Sequence, residues 1–385
     1  MSPLDVPRPA WMTEDVVLLE EQARRFIDAQ FVPHLERWNE EGMYDREVWA
    51  KAGAAGLLCA SMPEQYGGAG GSFAHEVAIN RALSLAGFDA FGAPLHSGIV
   101  APYILHHGTE EQKRRWLPRL ATGELVGAIA MTEPGAGSDL QGVRTRAARH
   151  GNGYVLDGAK TFISNGQHAN LVIVVAKTDP AAGAKGISLM VVETDEVQGF
   201  RRGRKLKKLG FDAADTSELF FENVALPAES LLGAAENQGF AQLMSELPQE
   251  RLIVAVHAQA MIERALTLTI DYVKQREAFG RKLIEFQNTQ FVLADCKTEA
   301  TVARVFVDHC IGRLIEGALD TVAASMAKCW VTDTEGKIVD RCLQLFGGYG
   351  YMDEYPISRM YRDSRVLRIY AGTNEIMKLV IARSL

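Results

Sequence analysis

The period of the apolar residues changes twice along this chain, and that change limits the fold more than any single motif does. From Thr13 onward, Val16, Leu19, Ala23, Phe26 and Ile27 fall on one face of a helix that Thr13 can cap, with Glu14 and Asp15 in its first turn. Helical spacing continues to about residue 125, interrupted by a loop from Pro63 to Ser72 that holds Gly67, Gly68, Gly70 and Gly71. From about 126 to 232 the pattern is that of strands: Gly151-Asn152-Gly153 and Asp157-Gly158 read as turns, and Leu171 to Ala176, Gly186 to Val192 and Leu219 to Val224 as strands. After Glu236 the helical period returns, with Leu293, Cys296, Ala300, Ala303, Val307, Cys310 and Leu314 at the alternating three-and-four spacing of a bundle seam. Helices, then strands, then helices predict a segregated α+β protein rather than an alternating parallel sheet: a helical region 1–125, a β domain 126–235 and a helical bundle 236–385.

Composition excludes several functions. A chain of 385 residues is long enough for two or three domains, and its charge, 41 − 48 = −7, offers no general attraction to nucleic acid or anionic lipid. The longest continuous apolar runs, such as Leu171 to Ala176, fall well short of the roughly 20 residues a membrane span needs. The first dozen residues show neither a secretory nor a transit pattern, and the five cysteines include no C-x-x-C pair, so the expected home is a reducing cytoplasm.

Two stretches imitate nucleotide loops. Gly153 to Thr161 nearly matches the phosphate-binding loop, but Lys160 stands one place late and the segment alternates like a strand. Gly135-Ala136-Gly137-Ser138-Asp139-Leu140 lacks the third glycine of a dinucleotide fingerprint and lies in a β region. The basic run from Arg201 to Lys208 reads as a solvated face. The nine histidines show no metal-ligand spacing, no nucleophile elbow is present, and no metal site is expected.

Five polar and glycine-rich segments remain: Met131 to Asp139, Lys160-Thr161-Phe162-Ile163-Ser164-Asn165, Arg276-Glu277-Ala278-Phe279-Gly280, Gln344-Leu345-Phe346-Gly347-Gly348 and Ile369-Tyr370-Ala371-Gly372-Thr373-Asn374-Glu375. In this order and spacing the sequence resembles the acyl-CoA dehydrogenase family, most of all its long-chain branch. The resemblance implies an N-terminal helical domain, a middle β-barrel domain and a C-terminal four-helix bundle, with FAD between the last two. It also implies a homotetramer in which a neighbouring subunit completes each FAD site, an acyl-CoA substrate, and electron transfer flavoprotein as acceptor. Carried over by residue, Met131, Thr132, Phe162, Ile163 and Ser164 would meet the flavin, and Arg276, Phe279, Gln287, Gln344, Gly347, Gly348, Thr373 and Glu375 the rest of the cofactor. Ser138, Arg251, Tyr370, Ala371 and Gly372 would contact the substrate.

In short- and medium-chain relatives the base is the glutamate of I-Y-E-G-T, where this chain has Ala371. Long-chain and isovaleryl members place it before an arginine on the first long bundle helix, here Glu250 in Gln249-Glu250-Arg251. Removing a weakly acidic α-proton needs such a carboxylate, desolvated so that its pKa rises. The thioester oxygen would meet the Ala371 amide and a ribityl hydroxyl of FAD. Pro248 must either start a helix beside Glu250, which would lower the pKa of the base through the helix dipole, or kink a longer one.

Overall fold

The computed structural model describes residues 3–385. The first region holds helices α1 (Glu14–Gln30), α2 (Leu35–Glu41), α3 (Glu47–Ala54), α4 (Phe73–Ala86), α5 (Ala93–Leu95), α6 (Ala101–His107) and α7 (Glu110–Ala121), with a π-helical turn, His96–Val100, joining α5 to α6. Its capping is uneven. Ser72 and Thr109 close capping boxes on α4 and α7. Thr13 stands in extended backbone at the α1 N-cap, but its side chain makes no capping bond.

Strands β1 (Gly127–Ala130), β2 (Arg146–His150), β3 (Gly153–Ile163), β4 (Leu171–Lys177), β5 (Ile187–Glu193), β6 (Phe200–Lys205) and β7 (Ser217–Leu226) form one curled sheet, ordered β1-β4-β2-β3-β7-β6 with β5 on β4. Strands β4 and β5 pair antiparallel and are buried on both faces, hence their unbroken apolar sequences. Asp157-Gly158 is not a turn. It lies inside β3, where the register with β7 shifts between Leu156 and Gly158, so the glycine serves a bulge.

The last region is built on α8 (Gly239–Gln275), followed by a small hairpin of β8 (Glu277–Ala278) and β9 (Arg281–Lys282). Then come α9 (Gln287–Ile315), α10 (Thr321–Phe346), α11 (Pro356–Ser364) and α12 (Asn374–Ala382). The seam read from the sequence is the buried face of α9: Leu293, Cys296, Ala300, Ala303, Val307 and Cys310 are all in the core, and Leu314 packs against it. Helix α8 has 37 residues, is apolar enough to cross a membrane, and has 78% of its most apolar window covered by neighbouring elements, which makes it the central core helix. It runs unbroken through Pro248.

Helix α8 is tied to both flanks by charge. Glu263 lies 3.2 Å from Arg81 on α4 and 2.9 Å from Arg304 on α9, all three side chains being buried. Burial alone would raise the Glu263 carboxyl, but the two guanidiniums bring it down to about 2. Arg81→Met should leave a poorly compensated charge between the first region and the bundle, costing roughly 3–5 kcal/mol in urea unfolding. The stabilisation from the lowered Glu263 pKa is present above the ordinary carboxylate range and should be lost as pH falls toward about 2. In the variant this acid-side slope should become shallower.

Candidate active site

Glu250 sits on α8 with 5% of its surface exposed. It lies eleven positions after the helix start at Gly239, so the amino-terminal dipole that could have lowered its pKa is out of range. Burial dominates and raises its carboxyl to about 7, helped by the charge of Glu246 and opposed by Tyr103 and Arg251. Tyr103, buried on α6, donates from its hydroxyl to Glu250 Oε1 at 2.7 Å.

One turn earlier, Glu246 faces the next turn of α6. Its Oε1 lies 2.9 Å from His107 Nε2 and 3.0 Å from His106 Nδ1. Burial works against ionisation here too, yet the bonds from the two imidazoles bring this carboxyl down to about 2. Two glutamates one helical turn apart are therefore held in opposite conditions, one ionised and one poised near neutrality. Gln249 anchors the same stretch by donating to the Gly98 carbonyl at 2.7 Å, at the π-helical turn.

Arg251 and Gly372 are tied to successive turns of α10. Arg251 Nη1 donates to Ser325 Oγ at 3.2 Å, and Lys328 Nζ donates to the Gly372 carbonyl at 2.8 Å. Tyr370 is partly exposed, and Ala371 and Gly372 are half-buried, with φ of +52° and +84°. A left-handed alanine costs about 1–2 kcal/mol and needs outside support. Among the described residues the Ala371 amide donates to no protein acceptor. Thr373 is already engaged: its hydroxyl accepts from the Ile376 amide at 3.4 Å and caps α12, with Glu375 exposed in the first turn.

On the sheet, Met131 and Thr132 are half-buried and Phe162 projects outward, 68% exposed at φ +60°. Ser164 is exposed, whereas the side chain of Ile163 points into the sheet core and its backbone is in register with Ser217 of β7. Lys160, the residue of the false phosphate loop, fixes this surface from behind. Fully buried, it donates to Glu133 Oε1 at 2.8 Å, to the Val175 carbonyl at 2.7 Å and to the Met131 carbonyl at 3.1 Å. Burial lowers its pKa to about 8, with Glu133 pulling the other way. The Thr161 amide donates to the Thr132 carbonyl at 2.9 Å and joins the two segments. Ser138 lies exposed on the same loop.

The third group lines a cleft of about 600 Å³ that includes Arg276, Thr289, Gln344, Gly347, Gly348 and Tyr349. A Cβ added to Gly347 or Gly348 would meet no atom within 4 Å, so the cleft floor is open. Phe279, on the β8–β9 hairpin at φ +53°, is 95% exposed, and Gln287 begins α9 at the surface. Four of the non-glycine residues with positive φ, Phe162, Asn165, Phe279 and Ala371, thus belong to the segments singled out by sequence.

Glu250 stands in the first half of α8 and the glycine-lined cleft lies at its far end, beside Arg276, so within one subunit they are separate features; the exposed Phe162 ring and the open cleft fit the ring system and the polar end of FAD respectively. Family models for the acyl-CoA dehydrogenase N-terminal, middle and C-terminal domains match residues 13–124, 128–224 and 237–385. The mitochondrial long-chain specific acyl-CoA dehydrogenase of Mus musculus is 48% identical over 370 residues, 96% of this chain and 86% of that protein. The crystal structure of acyl-CoA dehydrogenase from Geobacillus kaustophilus superposes with a TM-score of 0.96 at 48% identity, covering 98% of this chain and 99% of the other. A glutaryl-CoA dehydrogenase from Mycobacterium smegmatis in complex with FADH2 superposes with a TM-score of 0.90 at 30% identity, covering 97% and 95%. The chain belongs to the acyl-CoA dehydrogenase family and is an FAD-dependent oxidoreductase.

Sequence reasoning missed Tyr103, Glu246, the histidine pair and the structural role of Lys160. A hydrogen bond to an ionised carboxyl is worth about 1.5–3 kcal/mol, or one to two pH units. Tyr103→Phe should therefore move the Glu250 titration upward by about that much. pH-difference infrared spectra would read the shift, with the carboxyl band assigned by its absence from Glu250→Gln.

Proposed function

We propose that this enzyme converts a saturated acyl-CoA, of medium or long chain or methyl-branched, to trans-2-enoyl-CoA, with Glu250 taking the α-proton and electrons leaving to electron transfer flavoprotein. The observation that carries the reading is the Glu250 carboxyl, buried and raised to about 7, in a chain whose alternative base position holds Ala371.

A base whose pKa lies near working pH combines a useful ionised fraction with real proton affinity. Tyr103 favours the ionised form before reaction by donating to it at 2.7 Å. The unengaged Ala371 amide suits the thioester oxygen, on which charge grows as the α-proton leaves. Bound FAD supplies the acceptor for the hydride from the β-carbon. Phe162 would cover one ring face, with Met131, Thr132, the Ile163 backbone and Ser164 along its polar edge and Tyr370 and Gly372 beside the substrate. Ser138 and Arg251 would hold the acyl-CoA.

Arg276, Phe279, Gln287, Gln344, Gly347 and Gly348 form the surface that would receive the pyrophosphate and adenosine of a neighbouring subunit's FAD in a homotetramer; Thr373 and Glu375, at the start of α12, complete the set of proposed cofactor contacts. Phe279 supports this by its place beside Arg276 on the exposed β8–β9 hairpin, where its ring is open to a partner. Five free, buried cysteines suit a reducing compartment such as the cytoplasm.

Glu250→Gln should keep FAD and bind acyl-CoA but slow anaerobic flavin reduction by about two to four orders of magnitude. Wild-type reduction should rise with pH and level off above about 7. A carboxyl raised from 4.5 to about 7 in the folded state makes stability fall as pH rises through that window, so the variant should melt at a higher temperature than wild type at pH 8. Near-normal bleaching would remove Glu250 from the mechanism. In a separate test, Arg276→Ala should lose FAD and dissociate into smaller species on dilution, as ultracentrifugation would show, because a ligand bound across an interface stabilises the assembly.

A further inference from the structure

The turn that presents the Ala371 amide has no helix or strand to hold it. It is the link between a 3₁₀ turn, Arg365–Arg368, and α12, and two successive residues, Ala371 and Gly372, have left-handed backbone. Alanine keeps such a conformation where its surroundings impose it. Those surroundings centre on one side chain. Lys328 on α10 has no exposed surface, and its ammonium donates at 2.8 Å to the Gly372 carbonyl and at 2.8 Å to Asn374 Oδ1. Asn374 in turn donates to the Cys329 carbonyl at 3.2 Å, to Thr332 Oγ1 at 3.0 Å and to Asp333 Oδ1 at 2.9 Å. The start of α12 is thereby fastened to one face of α10.

We propose that Lys328 is a positioning residue for the thioester oxygen: its buried ammonium clamps Gly372 and Asn374, and so holds the left-handed turn that aims the Ala371 amide at the substrate. A lysine that only filled space or paired a charge would meet a carboxylate. The acceptors of this one are a backbone carbonyl and a carboxamide, both in the turn it orders. The charges around it are Asp333 and the thiol Cys329 on α10, Arg251 on α8 and Glu375 on α12. Burial lowers its pKa to about 8, which leaves it mostly protonated at neutral pH. The ammonium also brings a positive charge to the turn, bonded to the carbonyl of the residue after Ala371, in a setting where such charges are weakly screened. The inference rests on the proposed dehydrogenation, and its test separates the two.

The probe is a 3-thiaacyl-CoA, which cannot be dehydrogenated in the ordinary way but has an acidic α-CH2. Bound to the wild-type holoenzyme, it should ionise near neutral pH and give a long-wavelength charge-transfer absorption with the flavin. In Lys328→Met, with FAD content and circular dichroism matching wild type, the pH midpoint of that band should rise by one unit or more. Flavin reduction by acyl-CoA should fall about 10²–10³-fold, the scale of losing one oxyanion donor, with little change in KM. Lys328→Arg keeps the charge but fits the two acceptors poorly, and should show a smaller loss of both kinds; it serves if the methionine variant does not fold. Glu250→Gln should slow formation of the band while the ligand's acidity, set by Ala371, is largely retained. An unshifted midpoint in a folded, FAD-loaded Lys328 variant would overturn the positioning role. Absence of ligand ionisation in the wild type would instead overturn the dehydrogenase reading on which it rests.

Discussion

Burying an ionisable side chain is unfavourable unless another group meets it, and α8 carries Glu246, Glu250, Arg251 and Glu263 into the core. The three glutamates share a helix and a side-chain chemistry, so their differences come from what faces them. Two guanidiniums hold Glu263 at about 2, and two imidazoles do the same for Glu246. Glu250 receives a neutral hydroxyl from Tyr103 and a like charge from Glu246, and burial then carries it to about 7. The first two arrangements fasten α8 to its neighbours. The third leaves one carboxyl free to exchange a proton at physiological pH.

Continuity of α8 through Pro248 matters for the same reason. A helix beginning at Pro248 would have set Glu250 in the field of an amino terminus and favoured its ionised form. The extension back to Gly239 removes that field and brings Glu246 onto the same face, opposite α6. Gln249, bonded to the Gly98 carbonyl, ties this part of α8 to the π-helical turn, where the helical register of the first region is altered. The proposed base thus stands on a long rigid element whose position is fixed from three sides, while the amide proposed to act on the thioester belongs to a short link that needs its own clamp.

Much of this architecture could be read from the chain. The α9 seam was legible because period is a local property and each of its positions is decided by the same face. The segments around Met131, Phe162, Phe279, Gln344 and Ala371 were legible as a set because their order and spacing resemble a family's. Asp157-Gly158 misled because a glycine after aspartate serves a turn or a bulge equally well, and only the pairing of β3 with β7 decides between them. Tyr103, Glu246, Lys160 and Lys328 were hidden for another reason. Tyr103 meets its partner across 147 positions, His106 meets Glu246 across 140, and Lys328 meets Gly372 across 44. Lys160 is bonded to residues on two other parts of the sheet. None of these pairings leaves a local pattern, and each partner alone reads as an ordinary polar residue.

Glu250 and Ala371 make sense together under this reading. With φ at +52°, position 371 delivers an amide in a fixed direction whatever its side chain, and a small side chain keeps space beside it. In the proposed mechanism a carboxylate added there would compete with Glu250 for the α-proton, and two carboxylates near one site raise each other's pKa until one of them is no longer an effective base. Alanine avoids that conflict and leaves proton transfer to the residue on the rigid helix. What remains at 371 is electrostatic: an amide oriented before the substrate arrives needs little reorganisation as charge develops on the thioester oxygen. The strain of a left-handed alanine and the burial of a lysine behind it both lower stability, and both are consistent with a site in which that orientation is retained at the expense of the fold.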